Sequence, residues 1–163
     1  MKTNLKSSVS IKGPERAPHR SMYKAMGLND EDLSKPLIGV ANTWNEVTPC
    51  NIYLNELSSK AKVGVKDAGG TPREFVAISV SDAISMGHEG MKASLISREI
   101  IADSIELVMF AHQYDALVGV AGCDKSLPGT IMAMARINSP SIFVYGGTIM
   151  PGIYQGKELT IQD

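Results

Sequence analysis

The chain has 163 residues, of which 44% are hydrophobic and 20% charged, with 16 basic against 17 acidic side chains. This composition is typical of one globular domain or part of a larger one, and it excludes disordered, collagen-like and disulfide-scaffold proteins. A net charge of −1 gives no drive towards nucleic acid or anionic membranes. No apolar run approaches the roughly 20 residues that span a bilayer, and the N-terminus lacks a secretory apolar core, so we expect a cytoplasmic protein.

Residues 1–35 form the first predicted segment, a basic arm. Up to Lys24 the sequence has six basic residues against Glu15, so this stretch carries +5 and the remainder carries −6. A basic, serine-containing start also suits a transit peptide, but Pro14 and Pro18 break any long amphipathic helix there. We therefore predict an extended arm that packs on its own subunit or on a neighbouring one.

Residues 36–163 alternate short apolar runs with longer helical patterns. Nearly continuous apolar runs indicate strands that are covered on both faces of a parallel sheet, and they occur at 37–41, 75–80, 116–121 and 141–145. Crossover helices are predicted from Thr48-Pro49 to Gly69-Gly70, from 93 to 112, and from Pro128 to a stop at Pro140. This order predicts an α/β fold, with a mostly parallel sheet between helices on both faces.

Polar, glycine-rich loops follow the predicted strands, at the edge of the sheet where ligands collect. Both cysteines, Cys50 and Cys123, lie in these loops. A disulfide is disfavoured in a cytosolic chain, and a redox pair is disfavoured because no Cys-x-x-Cys occurs. Thiolate metal ligation remains, because Cys50 would lie in the first turn of a helix, where the dipole lowers a thiol pKa. Two chance loop cysteines are an equally good interpretation.

Two aspartates also follow predicted strands. Asp82 and Asp124 offer hard oxygen ligands that suit Mg²⁺, which takes one or two protein carboxylates and fills its shell with water and substrate. The alternative is that both simply cap the helices that follow them. Lys125, directly after Asp124, would then be an ordinary ion-pair partner.

Several strings carry a resemblance to a known family: RAPHR (16–20), TPCN (48–51), VSDAISMGHEGM (80–91), SREIIADSIE (97–106) and GCDKSLPG (122–129). From about Lys12 to its end, the chain resembles the N-terminal part of dihydroxy-acid dehydratases. These are iron–sulfur lyases of branched-chain amino-acid synthesis, related to phosphogluconate and sugar-acid dehydratases. The resemblance implies an N-terminal α/β domain of a larger, two-domain enzyme that forms a homodimer.

The resemblance also implies roles for individual residues. Cys50 and Cys123 are expected to ligate an iron–sulfur cluster, with a two-iron cluster favoured over a four-iron one. Asp82 and Asp124 are expected to ligate Mg²⁺, together with Lys125 as N6-carboxylysine, whose carbamate is an oxygen-donor anion. Thiolates on iron and oxygens on magnesium agree with ligand softness.

Two departures from the family pattern stand out. Ala83 replaces a usual glycine, which would cost about 1 kcal/mol if that position needs a positive φ. The family's chains are several times longer, so we expect a truncated chain whose third cluster cysteine, further magnesium ligand and catalytic base lie beyond Asp163.

The implied reaction is the dehydration of a 2,3-dihydroxy-3-methyl carboxylic acid to a 2-oxo acid in valine and isoleucine synthesis. One alternative keeps this chemistry but takes a sugar acid or 6-phosphogluconate as the substrate. A second alternative is a non-catalytic fragment or binding domain. In each case we expect small-molecule partners and neither nucleic acid nor membrane.

Overall fold

The structure, a computed structural model, describes residues 5–163. The first part of the predicted arm, residues 1–4, lies outside the described residues. Four parallel strands form the central sheet in the order β2-β1-β3-β4, where β1 is Leu37–Asn42, β2 is Thr71–Val76, β3 is Ala116–Ala121 and β4 is Ser141–Tyr145. The pairs β1–β2, β1–β3 and β3–β4 are all parallel, so the predicted sheet class is confirmed.

The N-terminal arm is helical, so the prediction of an extended arm is wrong for the described residues. It contains helices α1 (Ser8–Ile11), α2 (Ala17–Ala25) and α3 (Asp30–Ser34), with a 3-10 turn at Pro14–Arg16. Prolines at the start of a helix replace N–H groups that have no helical partner, so Pro18 is tolerated near the beginning of α2.

The arm packs on its own domain. Ile11 and Leu33 are buried in the core. The carboxylate of Asp115 accepts hydrogen bonds from the backbone N–H of Ser7 at 3.1 Å, the Ser7 hydroxyl at 2.7 Å and the backbone N–H of Leu37 at 2.8 Å. One aspartate thereby joins the arm, β1 and the start of β3.

Helices cover both faces of the sheet, as predicted. Helix α4 (Leu54–Asp67) lies on one face, where its apolar side packs on Val40, Val118 and Val120. Helices α6 (Lys92–His112) and α7 (Ser126–Ile137) cover the other face, together with the arm. A short helix α5 (Asp82–Ser85) and a 3-10 turn at Glu89–Met91 precede α6. Within residues 5–163, no helix has both the length and the apolar character needed to cross a bilayer.

Two predicted boundaries are wrong. The second strand covers Thr71–Val76 rather than 75–80, because Gly69 and Gly70 end α4 directly before it and its partner β1 ends opposite Val76. The first crossover helix begins at Leu54 rather than at Thr48, because residues 49–53 form hydrogen-bonded turns before the helix.

The other predicted elements agree with the structure more closely. The third and fourth strands have the predicted bounds, and α6 begins one residue early. Helix α7 begins two residues before Pro128 and ends at Ile137, before Pro140, with Asn138 as its C-cap at a φ of 47°. A hairpin that the sequence did not predict follows the sheet, with strands β5 (Gly152–Tyr154) and β6 (Lys157–Leu159).

Close packing of α6 on α7 yields a test of the fold. A Cβ on Gly129 would lie 2.8 Å from the carbonyl oxygen of Arg98 and 3.0 Å from Ile101. Because a backbone atom is one of these neighbours, we expect Gly129→Ala to lower the free energy of unfolding by about 1–3 kcal/mol.

Gly64→Ala in α4 is the matched control, because an added Cβ there meets nothing within 4 Å. Alanine is the better helix former, so this variant should gain about 0.5–1 kcal/mol. Urea denaturation followed by circular dichroism measures both changes. Equal effects of the two substitutions would contradict the close packing of α6 on α7.

Candidate metal site at the strand ends

The order in which strands are added to the sheet reverses at its centre, between β1 and β3. From β1 the chain crosses over α4 to β2 on one side, whereas β3 and β4 lie on the other side. Loops that leave neighbouring strands towards opposite faces open a crevice, and ligands of α/β proteins bind there. The loop after β1 carries Cys50 and the loop after β3 carries Cys123, so both cysteines border this crevice.

The Cys50 loop is anchored by a polar network beneath it. The Asn42 side chain donates to Glu74 Oε1 at 2.9 Å and to the Ser58 hydroxyl at 3.0 Å, and it accepts from the Trp44 backbone N–H at 2.9 Å. Ser58 also donates to Glu74 at 2.6 Å, and Lys62 forms an ion pair with the same carboxylate. Burial raises the pKa of Glu74, but the hydrogen bonds from Lys62, Ser58 and Asn42 outweigh it, so the pKa is lowered overall.

Cys50 itself lies in the turns before α4, with 8% of its surface exposed. Since α4 begins four residues later, the predicted effect of a helix N-terminus on this thiol is absent. The hydrogen bond with Cys123 and burial instead raise the pKa of Cys50.

Cys123 is 5% exposed and lies in a tightly held loop. Its backbone N–H donates to the Ser126 hydroxyl at 2.9 Å, and that hydroxyl donates to the Cys123 carbonyl oxygen at 3.1 Å. A hydrogen bond from Cys50 lowers the pKa of Cys123 to about 7, and backbone N–H groups of Asp124 and Asp82 act in the same direction. The two thiols therefore act on each other electrostatically, with the pKa of Cys123 lowered and that of Cys50 raised.

Asp82, Asp124 and Lys125 also meet at this edge. The Lys125 ammonium donates to Asp82 Oδ2 at 2.8 Å and forms an ion pair with Asp124. The hydrogen bonds with Asp124 and Asp82 raise the pKa of Lys125, so one cation neutralises part of the charge of two carboxylates. The structure thus brings together all five residues that the sequence singled out, as one thiol pair and one charged trio.

Neither aspartate is the capping residue of a helix. Ser81 is the N-cap of α5 and Lys125 is the N-cap of α7, and neither side chain makes a capping hydrogen bond. The alternative role of the aspartates as helix caps is therefore wrong. Ala83 lies inside α5 and is not among the described residues with positive φ, so it causes no backbone strain.

Ser94 is a residue that the sequence did not single out. Its hydroxyl, on α6, donates to Asp82 Oδ1 at 2.6 Å. Burial raises the pKa of Asp82, but hydrogen bonds from Lys125 and Ser94 outweigh it, so the pKa is lowered overall. The sequence does contain one indication of this role. Ser94 and Ser97 lie on the same buried face of α6 as Ile101 and Ile105, where a polar side chain needs a partner.

Asp82 and Asp124 are the only two carboxylates of the charged trio, so a third metal ligand from this group would have to come from Lys125. Within the described part of the chain, no three or more His, Cys, Asp and Glu side chains are grouped closely enough to hold a metal ion. Several buried side-chain oxygens in these loops have no hydrogen-bond partner among residues 5–163, namely those of Thr48, Asn51, Ser79 and Ser81. Buried polar atoms normally have hydrogen-bond partners, so these loops are suited to binding a polar molecule or a metal ion.

A sizeable cavity lies away from this site. It has a volume of about 660 Å³ and is lined by residues near the C-terminal ends of α6 and α7, including Phe110, Tyr114 and Arg136. None of the five predicted site residues lines it. A smaller, mostly apolar cavity of about 290 Å³ lies beside the loops after β1 and β2, between Trp44 and Ile78.

Fold and site together define an α/β domain with soft thiol and hard carboxylate donors at the switch point of a parallel sheet. The family model described as "Dihydroxy-acid/6-phosphogluconate dehydratase N-terminal" matches residues 35–163. The chain therefore belongs to the dihydroxy-acid/6-phosphogluconate dehydratase family, whose members are lyases.

Curated relatives agree with this assignment. The chain is 58% identical over 162 residues to the dihydroxy-acid dehydratase of Dinoroseobacter shibae and 59% identical over 162 residues to that of Parvibaculum lavamentivorans, with 99% of this chain and 28% of each relative covered. It is 60% identical over 157 residues to the dihydroxy-acid dehydratase of Natronomonas pharaonis, covering 96% of this chain and 26% of that relative. The chain thus spans just over a quarter of their length.

The Glu74 network yields a pH-dependent prediction. We expect Glu74→Gln to lower the free energy of unfolding by about 1–2 kcal/mol at pH 7, because a charged acceptor of three hydrogen bonds is lost. A lowered folded-state pKa stabilises the protein above the unfolded pKa of about 4.3, and this contribution is lost as pH falls through the folded-state pKa.

The difference between wild type and Glu74→Gln should therefore shrink as the pH falls below about 4.3. Urea titrations between neutral and acidic pH measure it. Glu46→Gln, at an exposed position on the loop after β1, is the control and should change little at any pH. A difference that does not depend on pH would contradict the role given to the Glu74 carboxylate.

Proposed function

We propose that this chain forms part of a hydro-lyase that dehydrates 2,3-dihydroxy-3-methyl carboxylic acids to 2-oxo acids in valine and isoleucine biosynthesis. One observation carries the proposal, namely that the thiol pair and the charged trio meet at the ends of β1, β2 and β3. The names of the curated relatives support the substrate class. The activity is proposed for the full-length enzyme, which we expect to be a cytoplasmic homodimer.

Cys50 and Cys123 would supply thiolates to an iron–sulfur cluster. Two features support this role: both thiols are buried, and the neighbouring Cys50 thiol lowers the pKa of Cys123 to about 7. Thiolates are the usual ligands of such clusters. Two cysteines are too few for a cluster, so we propose that a third lies outside these 163 residues. A two-iron cluster is favoured over a four-iron one on the family resemblance.

Asp82, Asp124 and Lys125 would hold Mg²⁺. In the structure the two carboxylates and the ammonium have a net charge of −1. With Lys125 as a carbamate and one Mg²⁺ ion present, the net charge is again −1. Carboxylation without the cation would gather three anions, so we expect carboxylation and Mg²⁺ binding to occur together. For carboxylation, Lys125 loses a proton, its nitrogen forms a bond to the carbon of CO₂, and the nitrogen releases a second proton.

When bound, the iron–sulfur cluster would supply a Lewis acid for the C3 hydroxyl of the substrate. Mg²⁺ would supply a cation for the carboxylate and the C2 oxygen. The residues of this chain would bind and orient the cluster and the magnesium ion. The Cys123 loop is fixed by Ser126, and Asp82 is fixed by contacts from two other elements. We propose that the base that removes the C2 proton lies outside these 163 residues.

Cofactor content tests the proposal in the full-length enzyme, purified without oxygen. We expect stoichiometric iron and sulfide in the wild type, and loss of both in Cys50→Ser and Cys123→Ser. Asp124→Asn is the matched comparison, because it should lose Mg²⁺ and retain iron. Elemental analysis and the visible absorption spectrum measure these outcomes, and the iron count per chain separates two-iron from four-iron clusters.

Wild-type enzyme without iron, or cysteine variants that keep a full cluster, would overturn the cluster assignment. Asp124→Asn enzyme with an unchanged Mg²⁺ content would overturn the magnesium assignment.

Substrate choice is tested by steady-state kinetics of the loaded enzyme. We expect kcat/KM for 2,3-dihydroxy-3-methylbutanoate to exceed that for gluconate or 6-phosphogluconate by about 100-fold or more, because a site built for an alkyl group handles a long polyol poorly. The reverse preference would establish the sugar-acid alternative. Enzyme that holds both cofactors and turns over none of these acids would support a non-catalytic role.

A further inference from the structure

Ser94 contacts the charged trio from outside it. It lies in the first turn of α6, only 2% of its surface is exposed, and its hydroxyl donates to Asp82 Oδ1 at 2.6 Å. Its backbone carbonyl accepts a hydrogen bond from the Ser97 hydroxyl at 2.6 Å, which helps to hold this turn in place.

The two oxygens of Asp82 have different partners. Oδ1 accepts from Ser94, whereas Oδ2 accepts from Lys125 at 2.8 Å. Each carboxylate oxygen therefore accepts one of these hydrogen bonds, and Oδ2 is the oxygen that contacts the charged trio through Lys125. Helix α5 is four residues long and its N-cap side chain makes no hydrogen bond, so it does little to fix Asp82 by itself.

We propose that Ser94 is a positioning residue, which holds Asp82 so that a single oxygen, Oδ2, is presented to Mg²⁺. This inference rests on the magnesium site of the proposed function and names a residue that acts through one of its ligands. Without the Ser94 hydroxyl, the carboxylate can rotate about its Cβ–Cγ bond and must be ordered by the ion. Loss of such a supporting hydrogen bond typically weakens metal binding by about 10–100-fold.

The experiment uses the full-length holoenzyme, from which Mg²⁺ is removed by chelation and then returned in a calorimetric titration. Ser94→Ala is compared with Ser104→Ala, whose hydroxyl lies on the same helix and donates to the Ile101 carbonyl oxygen at 2.9 Å. Ser94→Thr keeps the hydroxyl and serves as the rescue variant. Iron content and carbamate formation, followed by ¹³C NMR with labelled CO₂, are recorded for each protein.

We expect Ser94→Ala to raise the Kd for Mg²⁺ by about 10-fold or more and to lower the carbamate signal, with iron content unchanged. Ser104→Ala should bind Mg²⁺ like the wild type, and Ser94→Thr should recover most of the affinity. Equal Kd values for Ser94→Ala and Ser104→Ala would overturn the proposal.

Two further results would also count against it. Joint loss of iron and Mg²⁺ in Ser94→Ala would assign Ser94 to folding rather than to positioning. Wild-type enzyme that binds no Mg²⁺ would overturn the magnesium assignment itself, and the role of Ser94 with it.

Discussion

Pairing between β1 and β3 is the constraint on which the site depends. The two strands are hydrogen-bonded neighbours from Ile38 opposite Ala116 to Asn42 opposite Val120, and the Thr43 backbone N–H extends the pairing to the Val120 carbonyl oxygen at 3.1 Å. Because the crossovers after these strands lead to opposite sides of the sheet, their loops separate only beyond this point. The loops that carry Cys50 and Cys123 meet there, although α4, β2 and α6 separate them in the chain.

The charged trio needs a further step, because β2 and β3 are not neighbours in the sheet. Residues 77–81 continue past the end of β2, and the Ala77 backbone N–H still donates to the Asn42 carbonyl oxygen at 2.9 Å. The Cys123 thiol in turn donates to the Val80 carbonyl oxygen at 3.6 Å. This extension crosses the end of β1 and brings Asp82 to Lys125.

These same residues explain what the sequence could and could not predict. β3 and β4 were predicted with their bounds, since a central strand and its neighbour read as unbroken apolar runs. β2 was misplaced because residues 77–80 are mostly apolar like a strand, although β1 ends opposite Val76 and only Ala77 still bonds to it. Asp82 and Asp124 were singled out from their positions after strands, whereas the proposed role of Lys125 as a carbamate rests only on the family resemblance. Ser94 was missed because its partner is distant in sequence and no motif marks it.

The loop after β3 contributes to both halves of the site. Cys123 and Asp124 are consecutive residues, so the thiol pair and the charged trio are joined through one peptide unit. The loop is closely packed, because a Cβ on Gly122 would lie 2.6 Å from the Cys50 carbonyl oxygen and Ser126 bonds the Cys123 backbone at both its N–H and its carbonyl group. In the proposed function, this packing would fix the position of the cluster relative to the magnesium ion. A substrate would then offer one hydroxyl to each of the two metal sites, and the backbone of a single loop would set the distance between those sites.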